Sequence, residues 1–208
     1  MRYIKKTAVL FLILAVVFGL AACTNKLTGK DFISEFKAYG LKESDKFDLL
    51  RTNMDGHGID HLYFVAKDHD EAKRLINIAL NTFKAMPEIE ANEFVLGVDT
   101  VKGSDDDYYN SFVCFMTFEN DKQAEKTYQN FVETYGDEEY GKTGTESNIT
   151  YCIDSGVSAA GSNKIGTGVY LQGNVLVFMR AKSAVNDNYV FADTICSKFG
   201  LISPSTAE

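Results

Sequence analysis

Twice in this chain a strand-length apolar run meets an Asp or Asn and then opens into a helical apolar stripe. The first unit is residues 59–67, then Asp68, then Ala72, Leu75, Ile76, Ala79, Leu80, Phe83 and Met86 at helical spacing. Pro87 closes it, because proline drives the preceding residue out of helical geometry. The second unit is residues 109–119, then Asn120, then Ala124, Tyr128, Phe131, Val132 and Tyr135, with Gly136 as the stop. Glu71 and Gln123 stand at the capping-box position after each cap. Asp68 aligns with Asn120, and Ala72 with Ala124, in pattern rather than identity. Such a match fits an internal repeat, or the shared needs of two βα units.

The remaining elements follow from the same signals. Thr28, with Asp31 three residues on, starts a helix through Phe32, Ile33, Phe36 and Tyr39, which Gly40 stops. Phe94, Leu96 and Val98 alternate as a strand, and residues 103–107 form a turn. Residues 148–154 read as a strand, and 165–171 with 175–181 as a hairpin around Gly173-Asn174. A last helix spans 187–199, with Tyr189, Ala192, Ile195, Cys196 and Phe199 on one face and Gly200 as its stop. The order β-α-β-β-α-β over 59–154 is that of a ferredoxin-like split βαβ. The expectation is an α+β fold. A mainly antiparallel sheet carries helices on one face, and a C-terminal hairpin and helix extend the core.

One strand complicates that picture. In residues 109–119, Phe112, Cys114, Met116 and Phe118 point one way, Val113 and Phe115 the other. A sheet covered on one side only should alternate more clearly. The C-terminal hairpin and helix are the expected cover for the second face; an apolar groove or partner surface is the alternative.

The amino terminus settles a different question. Arg2, Lys5 and Lys6 precede an apolar run over residues 7–20, which ends in Leu20-Ala21-Ala22-Cys23. Charged, apolar and small-residue regions in that order form a secretory signal. The run falls short of the roughly 20 residues needed to span a bilayer. Its last four residues resemble the lipobox of bacterial lipoproteins. The resemblance implies a diacylglycerol thioether on Cys23, cleavage before it, and acylation of the new amino terminus. Two or three acyl chains anchor stably where one does not. The expected organisation is a signal peptide at 1–22, a linker at 23–27, one α+β domain at 28–202 and a tail at 203–208. The expected location is the extracytoplasmic side of the cell membrane. Residues 24–27 reach roughly 14 Å, which keeps the domain close to the bilayer. The βα-duplicated pattern also looks like the soluble domains of small bacterial lipoproteins, a resemblance that brings no activity with it.

Residues 1–22 hold three of the 21 basic residues and none of the 29 acidic ones, so the rest carries a net charge of −11. That balance argues against nucleic acid or anionic lipid as a partner. Fifteen Phe and eleven Tyr are ample for a packed core. Cys114, Cys152 and Cys196 remain beyond Cys23, an odd number that allows at most one bridge. All lie among apolar residues and read as buried thiols, with Cys114–Cys152 as the alternative pairing.

Chemistry-bearing motifs are sparse. His57 and His61 sit near Asp55 and Asp60, but Gly56 and Gly58 oppose a helix. In an extended chain the two imidazoles lie about 13 Å apart, too far for one ion. Asp105-Asp106-Asp107 and Asp137-Glu138-Glu139 lack the alternating spacing of a calcium loop and read as solvated turns. No Gly-x-Ser-x-Gly occurs, and Gly161, Gly166 and Gly168 form no phosphate loop. No catalytic set, cofactor site or metal site is therefore expected; the one assigned site residue is Cys23. The functional expectation is a lipid-anchored binding or interaction domain of the cell envelope. Its expected partners are the membrane, through Cys23, and an envelope protein or small apolar ligand. The alternatives are an envelope hydrolase built from residues such as His57, His61 and Asp60, and a solute-binding receptor.

Overall fold

In a computed structural model, described for residues 26–46, 61–81 (backbone alone at 78–81), 89–135, 141–157, 161 and 163–207, four helices sandwich one eight-stranded sheet. In chain order the elements are α1 (Gly29–Tyr39), β1 (Lys42–Glu43), β2 (Leu62–Val65), α2 (His69–Asn81), β3 (Glu93–Lys102), β4 (Tyr108–Thr117) and α3 (Asp121–Tyr135). There follow β5 (Lys142–Glu146), β6 (Ile149–Val157), β7 (Asn163–Gln172), β8 (Val175–Ala184) and α4 (Val190–Phe199). The sheet order is β1-β2-β3-β4-β8-β7-β6-β5, antiparallel at every step except β1–β2. The fold is α+β, as the sequence leads one to expect.

The caps behave as their residues dictate. Asp68 Oδ1 accepts from the Glu71 amide at 2.9 Å, and Glu71 Oε2 reaches back to the Lys67 amide at 2.8 Å. Asn120 Oδ1 accepts from the Gln123 amide at 3.0 Å. Thr28 Oγ1 accepts from the Asp31 amide at 3.3 Å, and Gly40 ends α1 at a φ of 106°, a conformation that favours glycine. Gly173 takes a φ of 57° in the β7–β8 turn while Asn174 does not cross to positive φ, which fits a type II′ turn.

Two expectations need correction. First, helices cover both faces of the sheet. Ala72, Leu75 and Ile76 of α2 and Ala124, Tyr128 and Phe131 of α3 pack with Phe94, Phe112, Cys114 and Phe178 on one face. Phe32 and Phe36 of α1 and Phe191, Ile195 and Cys196 of α4 pack with Val95, Phe115, Val177 and Met179 on the other. The helix missing from the one-sided reading is α1, which joins α4 over the second face. The C-terminal hairpin is not a cover: β8 lies in the middle of the sheet, against β4. This explains why β4 is apolar on both sides.

Second, the ferredoxin-like order along the chain does not give a ferredoxin-like sheet. A split βαβ places a strand between two parallel strands that flank a helix. Here β2 and β3, on either side of α2, are direct antiparallel neighbours. The connection through α3 instead carries the chain from central β4 to edge strand β5. The two cap-and-helix units share a face but not a connection.

The ends of the domain also differ from expectation. Leu27, placed in the linker, is 4% exposed, and its amide donates to Gln172 Oε1 at 2.9 Å. Of the expected tail, residues 203–207 are packed on the domain. Pro204–Ala207 form a 3-10 turn with Pro204 buried, and Ser203 Oγ hydrogen-bonds Asp193. The last helix begins at Val190 rather than 187; Asp187 instead accepts from the Ser104 amide at 2.8 Å and holds the 103–107 turn.

Strand directions give the sheet two distinct ends. β3, β6 and β8 begin at the end where Leu27 enters, here the near end. β2, β4, β5 and β7 begin at the opposite, far end. α1 runs from near to far, since Tyr39 at its finish reaches Asp99 late in β3.

Candidate functional site

Asp99 is the one charged side chain buried among the described residues, at 1% exposure. It sits on β3, facing α1, in a stretch otherwise built of Val95 and of Gly97 against the Phe36 ring. An unpaired carboxylate there would be prohibitively costly. Two donors relieve it. Tyr39 Oη, from the last turn of α1, donates to Asp99 Oδ2 at 2.9 Å. His61 Nδ1, at the entry to β2, makes a short contact with Asp99 Oδ1. Register explains the second: Leu62 pairs with Val98, so the residue before Leu62 falls beside Asp99. The Tyr39 hydroxyl is held well above the ordinary phenol range, by burial first and then by the neighbouring Asp99 charge.

This is a His–Asp pair with an orienting tyrosine, at the far end of the face covered by α1 and α4. The His61 side chain is 56% exposed. With Nδ1 on the carboxylate, Nε2 is the nitrogen left for solvent or substrate, the arrangement by which an aspartate fixes a histidine tautomer for proton transfer. Among the described residues no serine hydroxyl or cysteine thiol is hydrogen-bonded to His61. Ser111 lies opposite Asp99 on β4, and its Oγ accepts from the Lys182 amide at 3.2 Å.

Sequence reasoning singled out His61, with other companions. His57, Asp55 and Asp60 lie outside the described residues, as does Cys23. Asp99 and Tyr39 were missed. The available signal was an aspartate at an inward position of an apolar alternation: Val95, Gly97 and Asp99 share one face. Among the described residues no group of three or more His, Cys, Asp or Glu side chains converges as a metal site, and no helix is long and apolar enough to cross a membrane.

The acidic cluster at 105–107 forms a turn, with Asp105 accepting from the Tyr109 hydroxyl and Asp106 paired to Lys102 at 2.6 Å. The cluster at 137–139 is outside the described residues. Cys114, Cys152 and Cys196 are free and buried. The alternative Cys114–Cys152 bridge is ruled out by strand order. β8 and β7 separate β4 from β6, so the two Cα atoms are roughly 14 Å apart, twice the reach of a disulfide.

Two further features divide between the ends. A cleft of about 640 Å³ opens at the near end, lined by Lys26, Asp31, Glu35, Ser147, Gln172 and Lys198 among others. Lys198 and Glu35 pair across it at 3.1 Å. Its lining is mostly polar, unlike the apolar groove considered from sequence. Among the described residues, the large apolar side chains most exposed to solvent, Tyr108, Val157, Val185 and Val190, all lie at the far end. They start β4, end β6, follow β8 and start α4.

Compared with known proteins, the chain matches no family model, no curated protein and no solved structure.

Proposed function

We propose that this chain is the soluble domain of a lipid-anchored protein on the extracytoplasmic side of a bacterial membrane. It acts by binding an envelope partner through the far end of its sheet. The observation that carries this reading is the opposition of the two ends. Leu27 is buried and bonded to Gln172 at the near end, four residues after Cys23. A lipid on Cys23 would hold that end within roughly 14 Å of the bilayer. The exposed apolar residues and the His61–Asp99 pair lie at the other end, where a tethered domain meets other molecules. A surface charge of −11 keeps such a domain off an anionic membrane while leaving its far end free.

The test compares photocrosslinkers placed at Val190 and at Lys26 in the full chain, in cells. A discrete adduct from Val190 and not from Lys26, lost when Tyr108→Ser and Val157→Ser are combined, supports the reading. Equal labelling from both positions contradicts it. Fractionation of Cys23→Ser tests the anchor separately: release from the membrane fraction is expected, and unchanged retention refutes lipidation.

A second reading, an envelope hydrolase without a standard motif, is favoured by the His61–Asp99 pair alone. Hydrolysis of ester or amide probes that is abolished in His61→Gln, with unchanged melting, would move the assignment to that reading. The solute-binding receptor has no comparable observation in its favour.

A further inference from the structure

β5 is an edge of the sheet, joined to β6 through Ser147 and Asn148. Both turn residues have positive φ, the pattern of a two-residue type I′ turn. Such a turn makes Glu146 and Ile149 the first hydrogen-bonded pair. Alternate residues follow, Gly144 with Tyr151 and Lys142 with Ile153. Thr143 and Thr145 therefore turn their amides and carbonyls away from β6, toward the open edge. Among the described residues, the hydrogen bonds of 142–146 run to β6 or to the Thr206 carbonyl, and Glu146 has no ion pair. Lys142, Thr143, Thr145 and Glu146 are exposed.

The side chains of this edge alternate by face. Thr143 and Thr145 lie on the α2–α3 face with Cys152. Lys142, Gly144 and Glu146 lie on the α1–α4 face with Ile153, Tyr151 and Ile149. Tyr151 lays its ring across Gly144, where an added Cβ would stand 2.6 Å from the tyrosine hydroxyl. From far end to near end this face of β5 carries a cation, a glycine under an aromatic ring, and an anion. Exposed charges ordinarily keep two sheet edges apart. Here the charges are placed symmetrically about Gly144 and are opposite in sign, so a two-fold rotation at that residue sets each against its opposite.

We infer that β5 pairs antiparallel with β5 of a second copy of this chain, on a two-fold axis at Gly144, joining two eight-stranded sheets into one. Thr143 of each copy lies opposite Thr145 of the other, and each such pair exchanges two backbone hydrogen bonds. Lys142 meets Glu146 at both ends of the joint, in non-hydrogen-bonded positions where side chains approach most closely. Gly144 meets Gly144 at the centre, and the bare backbone leaves room for the two Tyr151 rings. The axis stands normal to the sheet and keeps the α1–α4 faces of both copies on one side. Leu27 packs on that face, so the tethers proposed above leave from the same side. The two far ends point in opposite directions, clear of the joint. The pairing itself does not rest on the far-end reading.

Sedimentation equilibrium of the full chain, in detergent matched in density to the solvent, tests it. A concentration-dependent equilibrium between monomer and dimer is expected. Lys142→Glu sets like charges opposite each other at both ends and should weaken association about tenfold or more. Glu146→Lys should do the same, and Lys142→Glu combined with Glu146→Lys should restore it. Thr143→Pro removes an outward amide and leaves the β5–β6 ladder intact, so the dimer should vanish while the dilute protein keeps its urea midpoint. If Thr143→Pro does not fold, the charge exchange carries the test. Val190→Ser at the far end should leave the equilibrium unchanged, which separates this inference from the far-end reading. A monomer at every concentration overturns it and leaves the edge to an extended segment of another protein. A dimer that withstands Thr143→Pro or Lys142→Glu overturns it too, since the copies would then meet elsewhere. So does failure of the charge exchange to restore association.

Discussion

The imidazole of His61 is hydrogen-bonded to the carboxylate of Asp99, a side chain only 1% exposed, and Tyr39 holds the carboxylate's other oxygen at 2.9 Å. The three residues come from the entry to β2, the later half of β3 and the end of α1. The contact therefore pins the lead-in to β2 and the last turn of a helix onto one position of the sheet. Removing the tyrosine oxygen leaves a buried charge short of one donor. Tyr39→Phe should cost about 1.5–3 kcal/mol, the range for hydrogen bonds to charged groups. Urea unfolding at neutral pH measures it; a loss below about 0.5 kcal/mol would mean that water replaces the hydroxyl without penalty.

Alkaline stability should follow the tyrosines. Burial first, then the Glu43 carboxylate that accepts its hydroxyl at 2.7 Å, push Tyr63 up to about 12. Burial likewise brings Tyr128 to about 12. A phenol ordinarily ionises near 10, so these groups are raised on folding. Their contribution is fully present below pH 10 and is lost as pH rises through 12. The urea midpoint should fall across that window, and Tyr63→Phe should flatten part of the fall. A midpoint level from pH 10 to 12, with phenolate absorbance already developed in the folded protein, would contradict the assignment.

The three thiols should be silent in the folded protein. Desolvation drives Cys196 up to about 12 and pushes Cys114 and Cys152 above their ordinary value. Thiol reagents attack the thiolate, which burial suppresses along with access. In a chain with Cys23→Ser, Ellman's reagent at pH 8 should find no fast-reacting thiol natively and three in denaturant, from Cys114, Cys152 and Cys196. One fast native thiol would show that a helix layer opens readily; fewer than three in denaturant would reveal an oxidised pair.

What the sequence made legible was local. The caps Thr28, Asp68 and Asn120 and the Gly173-Asn174 turn are read from short-range rules because their bonds are short-range. The apolar alternation of β3 and the two-sided apolar run of β4 are equally plain. The strand order was not legible, because β4 meets β8 only through pairings 58 to 68 residues apart in the chain, and the hairpin that reads as an add-on supplies the centre of the sheet. β5 was missed because Lys142, Thr143, Gly144, Thr145 and Glu146 lack an apolar face; it is an edge strand held by a tight turn at Ser147 and Asn148, both at positive φ. β1, two residues long, carries no periodicity at all. Of the candidate site, His61 was legible by its rarity. Asp99 was not, since its partners come from elements forty and sixty residues away, and only the fold shows that its position faces inward.

The packing of α1 on β3 makes the last prediction. A Cβ added at Gly97 would stand 2.8–2.9 Å from three ring carbons of Phe36, a side chain with no exposed surface. Phe36 cannot retreat, because Tyr63 and Phe191 flank its ring at 6.4 and 5.8 Å. Gly97→Ala should therefore destabilise by about 1–3 kcal/mol through overpacking, and Phe36→Leu by a similar amount through lost volume. Combined, the two should cost clearly less than their sum, because the methyl occupies space the ring has left. A double-mutant cycle by urea unfolding reads the coupling. Strict additivity would mean that α1 shifts as a body to admit the methyl, and that the Phe36–Gly97 contact does not set the spacing between helix and sheet.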